Sequence, residues 1–114
     1  MTDTGKQSIG MDSVEYRLFF EGPEGLTRLQ IVDRLAVLID GKGHAYASLS
    51  YDRETDQVDG ARELFGNDPM GVYASARNLG ATVTDDLAIS FMSPEVAAQL
   101  VRNYPNLRVE KLCQ

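Results

Sequence analysis

The chain has 114 residues, 43% of them apolar and 25% charged, and 17 acidic against 11 basic side chains leave it at a formal net charge of −6. That length accommodates one domain with its own core, and that composition excludes disorder of the whole chain. A negative field opposes nucleic-acid backbones and anionic membrane surfaces and suits a basic protein partner, so the expected partner is a protein or a second copy of the chain, with no nucleic acid and no membrane.

The first 13 residues are polar and aperiodic, which predicts a flexible tail over 1–13 ahead of a single domain over 14–114. They lack the long apolar stretch of a secretory signal. No run approaches the ~18 apolar residues of a membrane helix. The single cysteine, Cys113, cannot form an intramolecular disulfide. A cytoplasmic location is the expectation.

Val14 to Phe20 alternates apolar and polar positions and predicts a strand, broken by Glu21-Gly22-Pro23-Glu24-Gly25. Leu26 to Asp40 supports two readings. Thr27 with Gln30 three residues on has capping-box spacing, and Leu29, Val32, Leu35, Ala36 and Ile39 fall on one helical face. Leu29, Ile31, Leu35, Val37 and Ile39 also alternate as strands do, with Asp33 interrupting, and Asp40-Gly41-Lys42-Gly43 then reads as a hairpin turn.

His44 to Tyr51 predicts a strand and Asp52 to Gly60 an acidic loop. Ala61 to Phe65 predicts one helical turn closed by Gly66. Asp68-Pro69 opens a helix that Gly80 stops. Leu87 to Met92 predicts a strand. Ser93-Pro94-Glu95 combines an N-cap, a proline at the first helical position and an acid in the first turn, and Tyr104-Pro105 ends that helix. Leu107 to Leu112 predicts a last strand. With the helical reading of 26–40, the order is β-α-β, a helical insert, then β-α-β. That predicts an α+β domain of ferredoxin-like type, with helices packed on one sheet face and an extra helical insert.

No constellation announces catalysis. Asp52 to Glu63 places acids at positions 1, 3, 5 and 12 of a calcium loop, but Gln57 stands where the sharp turn needs glycine and a strand precedes the loop, so no metal site is expected. Gly41-x-Gly43 lacks the third glycine of a dinucleotide loop, and no Walker phosphate loop is present, so no cofactor is expected. Two function classes follow. One is a non-enzymatic interaction module, an acidic inhibitor-type or self-associating protein. Its candidate interface residues are Phe19 and Phe20, because adjacent rings on a strand must point to opposite faces. The other is a small-molecule-binding protein or modest enzyme. Its pocket would lie between sheet and helices, lined by Tyr46, Met70 and Tyr73, with His44 as the only plausible base.

Overall fold

Long consecutive strands dominate the first half of the domain. In the computed structural model, which describes residues 15–112, β1 (Glu15–Gly22), β2 (Gly25–Val32), β3 (Leu35–Asp40), β4 (Ala45–Asp52) and the short β5 (Gln57–Val58) form an antiparallel meander. The second half holds α1 (Ala61–Phe65), α2 (Pro69–Asn78), β6 (Thr82–Val83), β7 (Ile89–Ser90), α3 (Pro94–Asn103) and β8 (Leu107–Leu112). All eight strands belong to one sheet. The 1–13 tail, Val14 and Cys113 lie outside the described residues.

The ferredoxin-like expectation is therefore overturned. Every hydrogen-bonded strand pairing is antiparallel; β7 and β8, which flank β1 and are both antiparallel to it, run parallel to one another through α3, but the first expected β-α-β unit is absent and the β1–β5 meander stands in its place. Strands hold 43% of the described residues and helices 26%, which makes this a mainly antiparallel-sheet domain. The error lies at residues 26–40, where two strands stand in place of a helix. Asp33 takes φ 56 in the tight turn that sets Val32 opposite Leu35, a backbone region that Asp tolerates. The β-branched Ile31, Val32, Val37 and Ile39 then favour extended backbone. The capping-box threonine, Thr27, is fully buried within β2, and its hydroxyl lies 2.6 Å from that of Tyr46.

β1 is the hub of the sheet. One of its edges takes β8 from Glu15 to Phe20. The other takes β2 at Phe20–Gly22 and β7 at Glu15–Tyr16. β2 thus leaves β1 after a short pairing, and β7 pairs along the edge it vacates.

All three helices lie on the same side of the sheet. Phe20 is fully buried against Phe65 of α1 (ring centroids 5.8 Å apart) and Tyr73 of α2 (6.4 Å, edge-on). Gly22 follows on the same face, and a Cβ there would come within 2.8 Å of the Phe65 ring. Leu18, Leu29, Ala36, Leu38, Ile89 and Leu100 complete the centre of this core. α3 starts where its signals place it, with the Ser93 hydroxyl accepting from the Val96 N–H (3.2 Å). α2 starts at Pro69 after Asp68, although the Asp68 side chain makes no cap bond.

Candidate interaction surfaces

The register fixes which residues face away from the helices. Phe20, Leu18 and their partners Leu107 and Val109 point to the core. Phe19, one residue away, points to the opposite face. Leu29 pairs with Leu38 and Ile31 with Ala36 on the core side, so Arg28–Ile39, Gln30–Val37 and Val32–Leu35 lie on the reverse side. The two-residue turn at Asp33-Arg34 makes this shift: Leu35, Val37 and Ile39 lie on the face opposite Leu29 and Ile31, although simple alternation placed them together.

The reverse face consequently carries Phe19, Leu26, Val32, Leu35, Val37 and Ile39, none of which packs in the helix-side cluster; Ile39 is nonetheless buried, at 5% exposure, and Phe19, Leu26 and Val37 are half-buried. Val32 and Leu35 are the most open, at 49% and 45% exposure. Charged groups frame the row. Arg108 on β8 reaches Glu21 on β1 at 2.7 Å, and Arg17 lies 3.8 Å from Asp86 in the loop before β7. Of the two rings expected to mark an interface, Phe20 lies in the core and Phe19 on this face. Leu35, Val37 and Ile39 were missed because the signal needed was the Asp33 turn, and Leu26 and Val32 because the helical reading hid the strand before it.

The four expected pocket residues are not gathered into one cleft. Tyr73 and Met70 are buried in the core beneath α2, and burial pushes the Tyr73 phenol far above its ordinary range. His44 is exposed at the turn between β3 and β4, where its backbone N–H donates to the Asp40 carboxylate (2.9 Å). That bond, with the Lys42 N–H on the same oxygen, holds the Asp40 carboxyl below its usual value. Tyr46 sits at a β-bulge, the extra residue opposite Leu38 and Ile39, and its ring lies half-open over Thr27. The acidic loop closes as a hairpin: Asp52 pairs with Gln57, and its side chain accepts from the Glu54 and Thr55 amides.

A polar cleft of about 370 Å³ opens at the far end of the sheet, where the β2–β3 turn, the Arg53 loop, α2 and the loop after β6 converge. Arg53 and Arg77 line it together with Asp33, Asp56 and Asp85, and Arg53 lies 3.7 Å from Asp33. The Tyr51 phenol donates to Asp56, which raises its pKa above the ordinary value. Asp33, Asp56 and Leu87, three of the non-glycine residues with positive φ, line this cleft. Its mixed charge suits a molecule bearing both signs. The elements that build it are distant in the chain, so no sequence spacing signals it.

No protein-family model, no curated protein and no solved structure matches this chain.

Proposed function

We propose that this chain is a non-enzymatic interaction module that pairs with a second copy of itself through the reverse face of its sheet. The observation that carries this reading is the one-sided placement of the helices, which leaves Phe19, Leu26, Val32, Leu35 and Val37 outside the core. An antiparallel sheet with one face toward water ordinarily carries polar residues there. Here Val32 pairs with Leu35, and Val37 follows on the same strand face beside Gln30; an exposed apolar patch on a small domain marks a contact site. A twofold pair is the commonest way for a chain to cover such a patch with its own equivalent. The face also carries both Arg28 and Arg108 and both Glu21 and Glu110, so copies related by a twofold axis can oppose unlike charges.

Light scattering and sedimentation at about 50 μM test this, a concentration that populates any dimer with a Kd near 1 μM. Wild type should be dimeric, and Phe19→Asp and Val37→Asp should each be folded monomers with unchanged far-UV circular dichroism. A monomeric wild type at that concentration, or dimers that survive both substitutions, would overturn the reading.

A further inference from the structure

A second surface lies on the helix side, at the opposite edge of the sheet. Among the described residues β8 pairs only with β1, so its outer edge is open. The ladder fixes which backbone groups point outward. The Glu21 N–H donates to the Asn106 carbonyl (2.8 Å). Antiparallel pairs alternate between bonded and non-bonded, so Arg108 and Glu110 also direct their N–H and C=O groups at β1. Val109 and Lys111 therefore direct theirs away from it, toward an edge that no strand of the described residues pairs. The Leu107 N–H, on the same outward parity, turns to the Tyr104 carbonyl instead.

Beside this edge runs a groove of about 560 Å³ between β8 and α3. Tyr16, Ala97, Val101 and Val109 give it an apolar lining, and Val101 is 44% exposed. Arg102 and Lys111 line it as well. Two cations converge here in a chain whose net charge is −6. A lysine on an edge strand is a common guard against pairing with other strands, but that role requires no apolar groove beside it. A second copy is poorly suited to this edge, because its own Arg102 and Lys111 would meet theirs.

We propose that β8 and the α3 groove take up an extended acidic segment of another protein as an additional strand. The backbone of that segment would bond to Val109 and Lys111. Its side chains on the groove side, two residues apart, would place apolar groups against Tyr16, Val101 and Val109 and a carboxylate against Arg102 and Lys111. This is strand addition, in which main-chain bonds supply affinity and alternate side chains supply selectivity. The surface is separate from the reverse face, so the proposal stands whether or not the chain dimerises.

The test uses amide hydrogen exchange and NMR shift mapping on the whole chain with two end-capped peptides, Val-Thr-Val-Thr-Glu and Val-Thr-Val-Thr-Lys, each to several millimolar. In the free protein the Val109 and Lys111 amides should exchange at least about tenfold faster than those of Arg108 and Glu110, which β1 holds. The glutamate peptide should slow the first pair and shift α3 resonances from Ala97 to Arg102, and the lysine peptide should bind at least about tenfold more weakly. The double variant Arg102→Glu/Lys111→Glu should reverse that preference. Three results would overturn the proposal: no response at β8 and α3 to the glutamate peptide, equal binding of both peptides, or Val109 and Lys111 amides already protected without peptide. Protection that grows with protein concentration would assign the edge to a second copy, and concentration-independent protection would assign it to the chain itself.

Discussion

Phe19 and Phe20 are neighbours in the chain and opposites in the fold. Phe20 is enclosed by Phe65 and Tyr73 and has no exposed surface, whereas Phe19 lies on a face that no helix of the described residues covers. The two sides of one sheet are therefore built by different rules. On the helix side each apolar residue fills a defined space, and its removal leaves a cavity. On the reverse side apolar residues alternate with charged and polar ones, and Val32 and Leu35 stay 49% and 45% exposed. Aromatic content alone does not assign a ring to the core, whereas strand parity does.

The sharpest way to break this contrast is to truncate each ring in turn. Phe20→Ala should cost about 3–5 kcal/mol, the range for a large core ring that leaves a cavity. Phe19→Ala should cost clearly less, about 1–2 kcal/mol in dilute solution, because its ring is only partly buried. Urea melts at low micromolar protein, where a weak dimer is dissociated, read both values. Comparable losses at the two positions would mean that the faces are not distinct.

Gly22 gives the next largest effect. It lies on the core side, and a methyl group there would meet the Phe65 ring at 2.8 Å. Gly22→Ala should destabilise by about 1–3 kcal/mol, the usual cost of overpacking. Phe65→Leu in the same chain should recover part of that loss, because the shorter side chain vacates the space. Thermal melts of the two single variants and the double variant measure the coupling. Strict additivity would show that Gly22 does not lie against α1.

The sequence was most informative where a segment carries its own punctuation. Ser93-Pro94-Glu95 and Tyr104-Pro105 bound α3 from both ends, and the helix runs Pro94–Asn103. Ala61–Phe65 with Gly66 behaves likewise. Residues 26–40 carry no glycine or proline within the span after Gly25, and the turn that divides them rests on Asp33 alone. Apolar residues spaced for two strands joined by a two-residue turn also fall on one face of a helix, so hydrophobic period could not separate the readings. The β3 part of the reverse face, Leu35, Val37 and Ile39, was hidden by the same turn, since its membership depends on the parity shift there. The β8–α3 groove was hidden for another reason: Tyr16 and Lys111 are 95 positions apart and meet only through the register of β1 with β8.

The smallest effect concerns the polar margin of the reverse face, where Asp86 sits 3.8 Å from Arg17. The Thr84 hydroxyl donates to Asp86 and the Arg17 guanidinium adds attraction, so its carboxyl is held below the ordinary value of 3.8. A carboxyl with a depressed folded-state pKa contributes stability that is fully present above its unfolded value and is lost as pH falls through the folded one. The window therefore lies at and below pH 3.8, and nothing should change near neutrality. The Asp86 side chain is 55% exposed, so solvent screens the contribution to about 0.5 kcal/mol or less. Thr84→Ala should move the Asp86 titration, followed by carboxyl NMR, upward toward its ordinary value, and Arg17→Gln should move it less, because the hydrogen bond is the larger cause. A larger displacement in Arg17→Gln would reverse that order and make the ion pair with β1 the dominant tie between this loop and the sheet.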